Sequence, residues 1–197
     1  SDSDKLIQRA GALLERIDKL LPAAPVPMDW KSTAFRWRKR NGRGTIEAVQ
    51  HVHRISLGDL CGIDEQKKIV EQNTRQFVEG HPANNVLLTG ARGTGKSSLI
   101  KALLNKYAPR GLRVIEVEKQ DLVDLPDIVE VIAERPERFV LYCDDLSFEA
   151  DEPGYKALKV VLDGSVAAAS ENCLIYATSN RRHLMPEFMS ENLEAKR

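Results

Sequence analysis

Apolar residues recur at helical spacing near the start of the chain. Leu6, Ala10, Leu13, Ile17 and Leu20 form one stripe, with Ile7, Leu14 and Leu21 beside it. The pattern predicts an amphipathic helix over 4–21, stopped by Pro22. Such a stripe packs on its own domain or forms a short coiled-coil seam between subunits. From residue 58 the pattern changes to continuous apolar runs separated by helical periods. The runs at 84–89, 112–117, 139–143 and 173–178 predict buried strands. Between them, Asp64 can cap a helix from Glu65 to Glu79, with Ile69, Val70 and Phe77 inward. Further helices are expected from Ser97 to Tyr107, from Pro126 to about Glu134, and through Tyr155, Leu158, Leu162 and Val166. Strands that are apolar on both faces and alternate with helices imply an α/β fold with a parallel sheet covered on both sides. No internal repeat is visible.

At 197 residues the chain has room for one substantial domain and an extension. The extension is residues 1–57: the helix, a stiff Pro-rich linker at 22–27, and a basic segment at 35–44. The core is residues 58–197. Lysine plus arginine equals aspartate plus glutamate at 29 each, so no overall charge draws the chain to nucleic acid or an anionic membrane. Cys61, Cys143 and Cys173 are far apart and odd in number, which argues against a disulfide framework or a zinc site and fits a reducing compartment. Cys143 and Cys173 adjoin apolar runs and are expected to be buried, inert thiols. No apolar stretch approaches the ~20 residues that span a bilayer, and the first residues lack the apolar core of a signal peptide. A cytoplasmic protein is expected.

The strongest chemical signal is GARGTGKS, from Gly90 through Ala91, Arg92, Gly93, Thr94, Gly95 and Lys96 to Ser97, with Ser98 following. It fits the phosphate-binding pattern G-x-x-x-x-G-K-[ST], after a strand and before a helix. Glycines let the backbone turn tightly and aim N–H groups at phosphate oxygens. The helix adds its positive N-terminal end. Lys96 reaches the outer phosphates of a nucleoside triphosphate, ATP above all, and Ser97 offers a hydroxyl to Mg²⁺. A second signal is FVLYCDD, which places Asp144 and Asp145 at the C-terminal end of a strand, where α/β sheets gather their ligands. Asp144 can hold Mg²⁺ there through its water shell. A third is Asn180, just past the last strand, where a polar side chain could orient a water against the γ-phosphate.

This order of motifs resembles the AAA+ ATPases. The resemblance implies a P-loop NTPase three-layer sandwich with strand order 5-1-4-3-2. It also implies ATP with Mg²⁺ as cofactors, hydrolysis coupled to a macromolecular partner, and a ring of like subunits. By that resemblance LGDLCGID, residues 57–64, is the box that contacts adenine, through Leu60, Gly62 and Ile63, and Asn180 is sensor 1. DDLSF, residues 144–148, is similar to the replication-initiator branch. The usual catalytic glutamate is replaced by Asp145, one methylene shorter, so Asp145 and Glu149 both stand as the base. An arginine finger, a fifth strand and a helical lid are not identifiable, and Arg181 and Arg182 are poorly placed to serve a neighbour. A piece of a longer protein is therefore expected, one that binds ATP and turns it over slowly. More narrowly, ANNVLLTGARGTGKSSLIKALL with LYCDDLSFE and YATSNRRHLMPEFMSEN resembles a bacterial AAA+ family of unassigned role, from about residue 35 onward.

The basic segment is the one hint of nucleic acid. Arg36, Arg38, Lys39, Arg40 and Arg43 could grip phosphates while Phe35 and Trp37 stack bases, as in an ATP-gated initiator or loader. The plainer alternative is a solvated loop, or one docked on an acidic surface. A protein-remodelling motor would carry a pore-loop aromatic motif, and a small-molecule kinase a phosphoacceptor pocket. The sequence displays neither.

Overall fold

A computed structural model of the chain describes residues 2–20, 28–40, 42–50, 54–147, 153–162 and 171–180. The linker at 22–27, Phe148, Glu149, Val166, Arg181 and Arg182 lie outside them. Helix α1 (Asp2–Leu20) realises the first stripe. Leu6, Ile7, Leu13, Leu14 and Ile17 are exposed, so the stripe is not packed on the described core.

Six strands form one sheet: β1 (Ala34–Arg40), β2 (Arg43–Ala48), β3 (Val86–Thr89), β4 (Leu112–Glu116), β5 (Arg138–Cys143) and β6 (Cys173–Ser179). Their order is β2-β1-β4-β5-β6-β3. The four strands expected from the apolar runs are all parallel, and their order is the 1-4-3-2 portion of the AAA+ order. Among the described residues β3 has a sheet neighbour on one side only. Helices α2 (Asp64–Val78) and α3 (Lys96–Tyr107) cover one face, and α4 (Leu125–Ile132) and α5 (Pro153–Leu162) the other. Period-two alternation divides each strand between them. Phe139, Leu141, Cys143, Ile175 and Ala177 join the α4–α5 side, while Val140, Tyr142, Leu174 and Tyr176 join the α2–α3 side.

Asp64 does not cap α2: it is the first helical residue, Ile63 takes the N-cap position, and no side chain caps the helix. Two further expectations need correction. In α2, Val70, Thr74 and Phe77 face the core, but Ile69 is 68% exposed. One residue is 100° of helix, so Ile69 turns away from the face that Val70 defines. The second correction concerns the basic segment. It is not a loop outside a core that begins at residue 58. It forms β1, paired parallel with β4 and antiparallel with β2. FRWRKR is a half-buried strand pattern: Phe35 and Trp37, 1% and 4% exposed, enter the core, and Arg36 and Arg38, which alternate with them, take the other face. Base stacking by these two rings is therefore ruled out. Four of the five cations meet acids: Arg36 with Glu116, Arg38 with Glu118, Lys39 with Asp124, and Arg40 with Glu47. Solvent screens the exposed pairs, so they add little to stability. Their effect is on register: Arg36, Arg38 and Lys39 tie β1 to the end of β4 and the segment that follows it, and Arg40 ties β1 to β2. Asp124 is buried and also accepts the Trp37 indole N–H at 3.0 Å.

Gly44 is a strand residue of β2. It lies opposite Lys39 in the β1–β2 pairing, and the Trp37 ring lies over it. A Cβ at that position would fall 1.7 Å from Trp37 Cζ2. Gly44→Ala should therefore displace the indole and destabilise the fold by about 1–3 kcal/mol, measured by denaturant unfolding. An unchanged midpoint would mean the hairpin is loosely seated.

Candidate functional site

Sheet register assembles the site. Cys143 lies beside Ala177 and Thr89 beside Ser179. The next residues therefore stand together at the C-terminal ends of the strands: Asp144 beside Thr178, and Gly90 beside Asn180. The Gly90 N–H donates to Ser179 O at 3.2 Å, closing the loop against β6. Alternation continues past β5, so Asp144 falls on the side of Val140 and Tyr142 and meets the first turn of α3.

The loop has the conformation that the glycines were expected to allow. Gly93 and Gly95 are left-handed at φ 80° and 86°, and Gly90 has φ 149°. The Leu99 N–H makes the first helical bond, to Gly95 O. The N–H groups of Lys96, Ser97 and Ser98 precede it and have no intrahelical acceptor. Lys96 Nζ folds over the loop, donating to Gly90 O at 2.8 Å, Ala91 O at 2.7 Å and, at 3.3 Å each, Thr94 Oγ1 and Asn180 Oδ1. The Thr94 hydroxyl donates to Ala91 O. A cation held by two backbone and two side-chain oxygens, beside amide donors with no intrahelical acceptor, suits a polyphosphate, whose oxygens could replace those acceptors.

A cleft of about 250 Å³ opens here, lined by Arg92, Lys96, Ser97, Asp144, Asp145 and Asn180 among others. Ser97 Oγ donates to Asp144 Oδ1 at 2.9 Å, and Thr178 Oγ1 donates to the same oxygen at 2.5 Å. Burial opposes the charge on Asp144. The Thr178, Tyr142 and Ser97 hydroxyls close to it and the Asp145 N–H outweigh it and hold the carboxyl below its ordinary value. A hydroxyl next to an ionised carboxylate is an oxygen donor set suited to a hard divalent cation, so these residues fit Mg²⁺.

Asp145 is left-handed at φ 54°, the one non-glycine residue with positive φ among those described. Its N–H donates to Thr178 Oγ1 at 2.9 Å, and its Oδ1 accepts Asn180 Nδ2–H at 2.6 Å. Asn180 thus bridges Lys96 and Asp145. A second hollow of about 270 Å³, lined in part by Gly62, Ile63 and Leu88, lies on the other side of the loop. Leu60 and Ile63 reach Gly95, where an added Cβ would lie 3.9 Å and 3.6 Å from their methyls. The expected adenine box and the P-loop are therefore in contact. Cys143 is buried as expected, Cys173 is half-buried and Cys61 is exposed; burial pushes the Cys143 and Cys173 thiols up to about 12.

Sequence reasoning missed two members of the site. Thr178 was hidden inside a strand, though two residues before Asn180 it must share that residue's face. Tyr142 sits within an apolar run that gives it no chemical signal of its own. It is 5% exposed, and its hydroxyl borders Ser97, Asp144 and Thr178. Burial raises its phenol well above the usual value, so it remains a proton donor.

The family model described as "Protein of unknown function (DUF815)" matches residues 30–197. The chain belongs to that family. Its match begins at Trp30, whose ring packs on Phe35 and Phe139. No curated protein resembles the chain closely enough to count as a match. Among solved structures, PCH-2 of C. elegans is similar at 20% identity over 70% of this chain and 40% of that one, with a TM-score of 0.46. A DNA replication initiation factor is similar at 17% identity over 72% of this chain and 47% of that one, with a TM-score of 0.48. The chain thus spans less than half the length of either. At such identities and TM-scores neither likeness says what this chain binds or does. No described helix is long and apolar enough to cross a membrane.

Proposed function

We propose that the chain is an AAA+ type module that binds ATP with Mg²⁺ and hydrolyses it, coupled to a macromolecular partner and working in a ring of like subunits. The observation that carries this reading is the Ser97–Asp144 hydrogen bond, set in the cleft directly beside the P-loop lysine. In this reading the loop's N–H groups and Lys96 bind the phosphates, and Leu60, Gly62 and Ile63 flank the adenine. Ser97 and Asp144 would hold Mg²⁺, which would neutralise charge on the outer phosphoryl oxygens. Asp145 takes the proton of the attacking water, and Asn180 orients that water.

The test is calorimetric titration of ATP into the protein across a series of Mg²⁺ concentrations. Wild type should bind more tightly as Mg²⁺ rises. Asp144→Asn keeps the side chain's shape but removes the charge, so its Mg²⁺ midpoint should rise about tenfold or more. Binding of ADP without metal should not change. A wild-type protein that binds no ATP in the presence of Mg²⁺ would overturn the reading.

A further inference from the structure

Buried polar groups almost always find partners, and an unpaired one calls for a cause. Tyr142 Oη is buried with no hydrogen-bond partner among the described residues. Its neighbour across the sheet shows the usual outcome. Tyr176, paired with Tyr142 in the β5–β6 register, bonds through its hydroxyl to Thr74 and Asn73 on α2. Tyr142 lies on the same face of the sheet, yet its hydroxyl points to the end where Ser97, Asp144 and Thr178 meet. It is close to all three, but in hydrogen-bonding geometry with none of them. Ser97 and Thr178 already donate to a single oxygen of Asp144, Oδ1.

We propose that Tyr142 is a positioning residue whose hydroxyl, left unpaired beneath the P-loop, locks the Ser97–Asp144 pair when that pair is used to hold Mg²⁺. The proposal rests on the Mg-ATP reading above and extends it to a residue behind the site. Tyr142 does not touch the nucleotide. It offers a donor to whichever oxygen of Ser97 or Asp144 is left without one once the pair turns toward a metal. Groups that orient metal-holding side chains in this way matter most for metal affinity. An apolar residue at this position would pack equally well but could not supply the proton. Keeping an unpaired hydroxyl there costs stability, as functional sites often do.

Tyr142→Phe separates the two roles, because it removes only the oxygen and keeps the ring. Three quantities should be measured on variant and wild type: the Mg²⁺ midpoint for ATP binding, ADP affinity without metal, and the melting temperature of the nucleotide-free protein. The Mg²⁺ midpoint should rise about tenfold. Metal-free ADP affinity should be unchanged, and the melting temperature should stay the same or increase. An unchanged Mg²⁺ midpoint would overturn the proposal. So would a lowered melting temperature with both affinities falling together, or failure to fold, since each would mean the hydroxyl is structural. A wild-type protein without Mg²⁺-dependent binding would instead remove the Mg-ATP reading, and the proposal with it.

Discussion

Lys96→Ala should weaken ATP binding about 100-fold while leaving the fold intact. Lys96 Nζ is held by four oxygens, three from the loop itself and one from Asn180. None of its contacts reaches the apolar core, so truncation removes charge without opening a cavity. Bound phosphate would exchange those weak partners for charged oxygens. Hydrogen bonds to charged groups contribute about 1.5–3 kcal/mol each, so losing two amounts to at least ~3 kcal/mol, or two decades in Kd. Lys96→Arg should not rescue binding, because a planar fork cannot occupy the place of a compact ammonium inside so tight a loop. Calorimetry gives the affinities, and thermal melting checks the fold. Wild-type affinity in Lys96→Ala would mean that the loop is not the nucleotide site.

Much of this fold is legible in the sequence, because parallel strands inside a sheet leave continuous apolar runs, and β4, β5 and β6 all show them; β3 shows one too, but at the sheet edge only its Leu88 is buried and Leu87 is exposed. The P-loop is legible because few residue types allow its backbone. The hairpin was hard to read for the opposite reason. Its inward residues are two aromatics and its outward residues are cations, so the segment looks like a nucleic-acid arm unless its alternation is counted. The cations' partners, Glu116, Glu118 and Asp124, lie about eighty residues away and become neighbours only through the β1–β4 pairing. The need for glycine at Gly44 is likewise hidden, because the indole that covers it cannot be seen in one dimension. At the site, types and order are enough to find Lys96, Ser97, Asp144 and Asn180. Tyr142 and Thr178 depend on register, because their roles follow from which β6 residue faces which β5 residue.

Asp145→Asn should leave nucleotide affinity within about twofold and lower turnover about 100-fold or more, the scale of a lost general base. The geometry makes this variant informative. Asp145 sits in a left-handed conformation that asparagine also tolerates, so the backbone should not move. Its N–H can still donate to Thr178, and that bond holds the turn after β5. Only the ability to take a proton is lost. Asn180 donates to Asp145 in the nucleotide-free protein, so the two side chains restrain each other across the cleft. For Asp145 to act on a water, that bond must loosen. Asn180→Ala would free the carboxylate but also lose the group that orients the water, so it should impair turnover rather than raise it. Glu149→Gln is the competing variant, since that carboxylate follows four residues later. Phosphate release measured for all three variants decides between them. If Asp145→Asn turns over like wild type while Glu149→Gln does not, the base is Glu149, and Asp145 serves only to hold Asn180. If Asp145→Asn alone is slow, the shorter acid performs the chemistry, and its strained backbone is what brings it within reach of the water.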